Sequence, residues 1–313
     1  MDENSQVVSN PLARSLLRRE IDGVVVFCCF CVKNACSLVL YITSALLGKT
    51  QSRRIKTMSL FRLRNAVALA CLAAQPAFAS SKMLNQNDFV GISFWIISMA
   101  LIAATAFFFM EIQRVSGKWK TSLTVSGLVT LVAATHYFYM RDVWVETGST
   151  PTVYRYIDWL ITVPLLITEF YLILRAIGKA SAGIFWRLIL GTTVMLIFGY
   201  LGEAGYMGVW PAYIFSMLAW FFVIYEIYAG EAGKMGTTQA PPAVQSAYKT
   251  MRAIVVFGWA VYPIGYFIGY LTGANPADSM GTLNIVYNFA DVVNKIGFGV
   301  IIWNVAVTAS ESN

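Results

Sequence analysis

Two ionisable residues, Asp291 and Lys295, lie one helical turn apart inside an apolar stretch near the end of the chain. A spacing of four residues places both side chains on one face of a helix. Lys295 is near the middle of that stretch, too far from either end for its amine to reach water. An amine beside carboxylates suits covalent attachment of a carbonyl compound, with the carboxylates as counter-ions. The alternative is a structural ion pair of Lys295 with Asp291 and Asp158.

A second apolar stretch contains Arg155, Asp158, Thr162 and Glu169. At about 100° per residue, the last three fall within about 40° of one helix face, and about 16 Å separates Asp158 from Glu169 along the axis. Desolvation favours a neutral Glu169, which could then donate a proton, whereas an interfacial Glu169 would simply face water. Arg155 lies about 60° from Asp158 and is expected to keep its carboxyl group ionised.

Aromatic residues accompany these charges. Trp259, Tyr262 and Pro263 share a face of another apolar stretch, and Trp159 follows Asp158 directly. Flat rings in the middle of a span could enclose a conjugated molecule, although such rings are usually packing residues. His136 is the only histidine; a lone histidine is more often a packed side chain than a switch.

The composition requires membrane-spanning elements to position these residues. Of 313 residues, 58% are hydrophobic and 12% are charged, whereas soluble domains carry about 25% charged residues. Each of seven apolar stretches is long enough to cross a bilayer as a helix. We therefore expect an all-α membrane protein with a bundle of seven transmembrane helices. The stretches are 89–112, 120–140, 152–174, 184–204, 207–229, 250–273 and 283–307.

Lysine and arginine predict the orientation, because they accumulate in cytoplasmic links. The second, fourth and sixth links carry only Arg141. We therefore expect the N-terminus of the bundle outside and the C-terminus inside. The first, third and fifth links, with their helix ends, carry Arg114, Lys118, Lys120, Arg175, Lys179, Arg187, Lys234, Lys249 and Arg252.

The N-terminal region has a different character. Residues 58–79 have a basic start, a short apolar core and an Ala-Phe-Ala end, the pattern of a signal peptide cleaved after Ala79. We expect 80–313 to be the seven-helix domain and 1–57 an upstream extension, unless 21–47 forms an extra helix. All five cysteines precede residue 80, so no metal site is expected in the bundle. The net charge of +7 arises mostly before residue 65 and gives no reason to expect nucleic-acid binding.

The stretches RYIDWLITVPLLITEF and LNIVYNFADVVNKIGFGVIIWNVAV closely resemble the proteorhodopsins, bacterial light-driven proton pumps. The resemblance covers about residues 85–310 and includes WKTSLTVSGLVT, VWVETGSTPTV, FGYLGEAG and GWAVYPIGY. It implies that all-trans retinal forms a Schiff base with Lys295. It also implies that Asp158 is the proton acceptor and counter-ion, that Asp291 is the second counter-ion and that Glu169 is the proton donor. His136, Arg155 and Thr162 would tune the acceptor, and Leu166 would tune the absorption to green light. The residues implied to contact retinal are Trp159, Trp259, Tyr262 and Pro263.

The resemblance also implies an activity and a location. Asp158, Thr162 and Glu169 match the triplet of proton pumps, so the expected function is outward proton transport driven by light, not an enzymatic reaction. The expected location is the cell (inner) membrane, as a multi-pass protein among lipids. The alternatives are a photosensory rhodopsin and a transporter without retinal in which Lys295 is structural.

Self-association as a pentamer or hexamer is a further implication. His136 would lie near a subunit boundary, where Trp95 matches a tryptophan that contacts this histidine from the neighbouring subunit. The run Glu111-Ile112-Gln113 departs from the acidic-basic-acidic run expected there, which removes the usual salt bridges between subunits.

Overall fold

The structure, a computed structural model, describes residues 84–178, 180–272 and 276–311. The described part is all-helical, and seven of its helices are long and apolar enough to cross a membrane. This confirms the predicted fold class. The upstream extension, the signal peptide and the alternative helix at 21–47 lie outside the described residues. The spans are α1 (Phe89–Arg114), α2 (Lys120–Thr147), α3 (Thr152–Ile177), α4 (Ala182–Glu203), α5 (Val209–Gln239), α6 (Pro242–Leu271) and α7 (Met280–Glu311).

The fifth link differs from its prediction. The sequence predicts a connection over about 230–249, but α5 reaches Gln239 and α6 begins at Pro242. The added turns contain charged and polar residues such as Lys234 and Lys249. A prediction based on apolar stretches therefore leaves these turns out of the helices. Pro242 occupies the first turn of α6, where a missing backbone N–H costs nothing. Both helices are therefore longer than their hydrophobic parts.

The helices form a closed ring. Each of α1 to α6 packs against the next helix, and α7 returns to contact α1 and α2. Short connections between antiparallel neighbours favour this arrangement. As a result, α3 and α7, which carry the candidate charges, face each other inside the bundle.

Apolar and polar side chains are distributed as expected for a bundle in lipid. Many large apolar side chains are exposed, among them Phe89, Trp186, Leu190, Phe257 and Ile264. Many polar side chains are buried, among them Ser98, Thr130, Asp158, Asn288 and Lys295. Since lipid provides no hydrogen-bond partners, polar groups are satisfied towards the bundle interior.

Wide π-helical turns interrupt α6 and α7. One spans Ile254–Gly258 and another spans Val292–Gly297, which includes Lys295. The two turns are in contact. Such turns shift the register of a helix locally and occur frequently at functional sites.

Candidate functional site

Lys295 lies between two carboxylates. Its Nζ is 2.5 Å from Oδ2 of Asp158 on α3 and 2.8 Å from Oδ2 of Asp291 on α7. The side chains of the lysine, Asp158 and Asp291 are 2%, 0% and 1% exposed, respectively. A buried amine with no partner would be costly, so the two carboxylates account for its presence here. The structure thus brings together the three residues that the sequence analysis placed at the centre of the site.

The two carboxylates have different hydrogen-bond donors. Asp291 accepts from the Tyr137 hydroxyl at 2.7 Å on Oδ2 and from the Tyr262 hydroxyl at 2.5 Å on Oδ1. Oδ1 of Asp158 has no hydrogen-bond partner among the described residues. Donors stabilise a carboxylate in its charged form. Asp291 is therefore the better stabilised anion of the pair.

His136 approaches the free oxygen of Asp158. Its Nδ1 is 3.9 Å from Oδ1 of Asp158 and 2.9 Å from the carbonyl oxygen of Val132. Because a carbonyl only accepts, Nδ1 carries the hydrogen in this contact. The histidine side chain is 17% exposed, so the Asp158 carboxylate has an ionisable neighbour at the edge of the bundle.

Arg155 and Thr162 contact groups other than the Asp158 carboxylate. The guanidinium Nη2 of Arg155 donates to Asn284 at 2.8 Å and to Asn288 at 3.4 Å. The Thr162 hydroxyl donates to the backbone oxygen of Asp158 at 2.9 Å. Arg155 is buried, and its charge therefore acts on Asp158 through space rather than through a direct ion pair.

Glu169 is fully buried, which excludes the interpretation that it faces water at the interface. Ser126 of α2 donates to its Oε1 at 3.4 Å, and Oε2 has no partner among the described residues. No basic side chain lies within ion-pair distance in the described part of the chain. Burial without a cation favours the protonated acid.

A cavity adjoins Lys295 and Asp291, and its empty space, including the part that is open to solvent, is about 810 Å³. The walls are mostly apolar and aromatic and come from α3, α4, α5, α6 and α7. The candidates Trp159, Leu166, Trp259, Tyr262 and Pro263 all line the cavity.

Several site residues were missed by the sequence analysis. Tyr137 donates to Asp291, Ser126 donates to Glu169, and Asn294 donates to Tyr262. The walls from α4 and α5, including Met195 and Trp220, were missed as well. Neutral polar and apolar residues are common in all spans, so only their partners on other helices distinguish site residues from the rest. For Asn294, its position next to Lys295 in the sequence is the one signal that could have identified it.

This arrangement can hold an elongated apolar molecule joined to an amine. It can also move a proton between Nζ of Lys295 and Oδ2 of Asp158, which are at hydrogen-bond distance. Asp158 and Glu169 lie on the same helix, and both are buried. The site therefore has a charged carboxylate beside the amine and a second, isolated carboxyl group further along α3.

Comparisons with known proteins identify the family of this chain. The model of the family described as bacteriorhodopsin-like protein matches residues 88–309. The chain is 58% identical over 245 residues to the green-light absorbing proteorhodopsin of Gamma-proteobacterium EBAC31A08, which covers 78% of this chain and 97% of that protein. With the same coverage, it is 54% identical to the blue-light absorbing proteorhodopsin of Gamma-proteobacterium Hot 75m4.

Solved structures give the same result. The blue light-absorbing proteorhodopsin from Med12 is 50% identical with a TM-score of 0.61, covering 71% of this chain and all of that one. Xanthorhodopsin, a light-driven ion pump with dual chromophore, is 26% identical with a TM-score of 0.64, covering 71% of this chain and 94% of that one. These matches confirm the resemblance to the proteorhodopsins. The chain is thus a multi-pass membrane protein that belongs to the bacteriorhodopsin-like family.

Proposed function

We propose that this protein binds all-trans retinal covalently at Lys295 and pumps protons out of the cell when it absorbs light. The observation that carries the proposal is the position of Nζ, 2.5 Å from Asp158 and 2.8 Å from Asp291, in the wall of an aromatic cavity. The names of its relatives, which are light-absorbing proteorhodopsins and a light-driven ion pump, support it.

The residues of the cavity fit retinal. Joined to Nζ as a protonated Schiff base, retinal would supply visible absorption and a light-driven change of shape that alters the proton affinity of that nitrogen. Trp159, Trp259 and Tyr262 would contact its apolar chain, and Pro263 and Leu166 complete that part of the wall. The carboxylates of Asp158 and Asp291 would balance the positive charge at Nζ.

The asymmetry of the two carboxylates supports Asp158 as the acceptor. Asp291 receives hydrogen bonds from two tyrosines, whereas Oδ1 of Asp158 receives none from the described residues. A proton that leaves Nζ therefore finds the higher proton affinity at Asp158. His136, 3.9 Å from Oδ1, would modulate that affinity through its own charge.

Glu169 is suited to return a proton to Nζ. Its carboxyl group is buried with no cation within ion-pair distance among the described residues, which favours the neutral form. With the basic links on the cytoplasmic side, α3 runs from outside to inside, so Asp158 lies outward of Glu169. Transfer from Nζ to Asp158, followed by transfer from Glu169 to Nζ, would carry protons outward. Outward transport of protons from the cell would require the protein to lie in the cell (inner) membrane, which is the location we propose.

The test is a recording of external pH in a weakly buffered suspension of cells that express the protein and receive retinal. We expect acidification in light that a protonophore abolishes, and no response from cells that express Lys295→Ala, which should form no pigment. A pigmented wild type that cycles slowly and leaves the external pH unchanged would contradict pumping and favour the photosensory alternative. A coloured Lys295→Ala protein with covalently bound retinal would refute the attachment site.

A further inference from the structure

Asn294 connects α6 to the carboxylate cluster. Its Nδ2 donates to the backbone oxygen of Gly258 and to the hydroxyl oxygen of Tyr262, both at 3.0 Å. The side chain is buried and lines the cavity. None of the roles proposed above involves this residue.

The orientation of the Asn294 amide follows from its partners. The carbonyl of Gly258 only accepts hydrogen bonds, so the NH₂ group of Asn294 must face it. The same NH₂ group faces the oxygen of Tyr262. Since that oxygen already accepts a hydrogen bond, the tyrosine hydroxyl is free to donate its only hydrogen to Oδ1 of Asp291.

The two π-helical turns make this contact possible. Gly258 ends the turn of α6, and Asn294 lies within the turn of α7. A Cβ atom at position 258 would collide with Oδ1 of Asn294, so the close approach of the two helices depends on glycine. The amide therefore fixes the position of Tyr262 relative to both helices.

We propose that Asn294 is a positioning residue that directs the proton from Nζ to Asp158 rather than to Asp291. It does so by holding the Tyr262 hydroxyl as a donor to Asp291, which keeps that carboxylate ionised. The inference rests on the proposed function, because the proton in question is the one that light releases from Nζ of Lys295. Without the amide, the hydroxyl of Tyr262 can turn away, and Asp291 becomes a competing acceptor.

The experiment compares light-induced infrared difference spectra of the retinal-bound protein and of Asn294→Leu and Asn294→Ala. The readout is the C=O stretch of a newly protonated carboxylic acid, assigned by adding Asp158→Asn or Asp291→Asn to each variant. Tyr262→Phe removes the donor itself. Asn304→Leu makes the same chemical change at an exposed position on α7 and serves as the control.

We expect the entire signal to depend on Asp158 in the wild type and in Asn304→Leu. In the Asn294 variants and in Tyr262→Phe, about a tenth or more of the signal should depend on Asp291 instead, because losing one hydrogen bond to a charged group changes such an equilibrium about tenfold or more. A signal that depends only on Asp158 in both Asn294 variants would overturn the inference. Absence of any carboxylic-acid signal in the wild type would instead contradict the proposed function.

Discussion

The two carboxyl groups on the inner face of α3 have opposite surroundings. Asp158 faces Nζ of Lys295 at 2.5 Å, whereas Glu169 accepts from the Ser126 hydroxyl at 3.4 Å and has no cation within ion-pair distance among the described residues. A buried carboxylate is stable beside a positive charge and costly without one. Before illumination we therefore expect an ionised Asp158 and a protonated Glu169, which is the combination that an acceptor and a donor require.

Replacing the donor should slow the return of the proton without preventing pigment formation. In Glu169→Gln, Nζ must be reprotonated from bulk water, so recovery should be at least about tenfold slower at neutral pH. Recovery should slow further as the pH rises, because the proton concentration falls tenfold per unit. Flash photolysis at several pH values measures this rate. Glu146→Gln, at an exposed position on α2, is the control; recovery of Glu169→Gln at the wild-type rate at alkaline pH would exclude Glu169 as the donor.

Leu166 should determine the colour. It is buried on α3 and lines the cavity, so Leu166→Gln would place a dipole against the bound chromophore. We expect green absorption for the wild type and a shift towards shorter wavelengths for the variant, because a polar group stabilises the ground-state charge relative to the excited state. The absorption maximum of purified protein measures the shift. Leu165→Gln, beside it but outside the cavity wall, should leave the maximum nearly unchanged, and an unmoved maximum in Leu166→Gln would contradict the role of this position.

Among the secondary-structure elements, the interruptions of the helices position several of the polar contacts between helices. The π-helical turn Val292–Gly297 contains both Lys295 and Asn294, and the turn Ile254–Gly258 provides the carbonyl that the asparagine binds. Towards its C-terminal end, α5 has an irregular turn near Gly230. Interruptions of this kind free backbone groups: the carbonyl of Gly258 accepts from Asn294 of α7, and the carbonyl of Ile227 accepts from Tyr248 of α6.

The irregular turn of α5 is held by Arg187 of α4. The guanidinium group makes two hydrogen bonds of 3.0 Å to Glu226 and one of 2.7 Å to Glu231. Glu226 is buried and also accepts from the backbone N–H of Ala232. Removing the arginine would leave a buried carboxylate without a cation.

Arg187→Gln should therefore destabilise the protein by about 1–3 kcal/mol, the cost of losing hydrogen bonds to a charged group. Thermal unfolding of the purified protein in detergent, followed by circular dichroism, measures the change. Arg175→Gln removes an exposed arginine of α3 near the ring of Tyr171 and should have a much smaller effect. Equal melting temperatures for wild type and Arg187→Gln would show that this ion pair contributes nothing measurable.

For the molecule as a whole, the ring of helices separates a polar interior from an apolar exterior. The exterior suits lipid, and parts of it would suit other copies of the chain. Glu111, at the expected subunit boundary, accepts hydrogen bonds from Arg114 and Trp303 of its own chain. Trp95 packs against Phe138, and Arg141 lies over the ring of Trp95; both contacts are within one chain.

We nevertheless expect a ring-shaped pentamer or hexamer with His136 near a subunit boundary. Ile112 and Gln113 cannot form the usual salt bridges between subunits. The expectation therefore rests on the resemblance and on the partial exposure of His136. Native mass spectrometry in mild detergent measures the subunit number. Monomers alone in that measurement would contradict the assembly.

The mature chain should begin at Ser80, after removal of the signal peptide 58–79. An N-terminus outside the cell agrees with an exported leader and with the basic cytoplasmic links. Intact-mass measurement of protein purified from membranes decides the question. A mature chain that retains 21–47 would favour the alternative anchor helix.

The seven spans and the central charges could be predicted from the sequence because both are local properties. Crossing a bilayer requires a run of about 20 predominantly apolar residues, and each span contains such a run. A charge within a run is conspicuous, so Lys295, Asp158, Asp291 and Glu169 stood out without any knowledge of their neighbours. The ends of α5 and α6 could not be predicted, because polar turns that continue a helix beyond the hydrocarbon have no hydropathy signal.

The partners of these charges were decided by the tertiary structure. Tyr137, Ser126 and Asn294 are neutral polar residues of a kind that every span contains, and they matter because α2 and α7 bring them to particular oxygens. Arg155 bonds to asparagines of α7 rather than to Asp158 on its own helix. A hydrogen bond requires two groups within about 3 Å of each other. Packing sets the distances between helices, and the spacing of residues along a single helix carries no information about those distances.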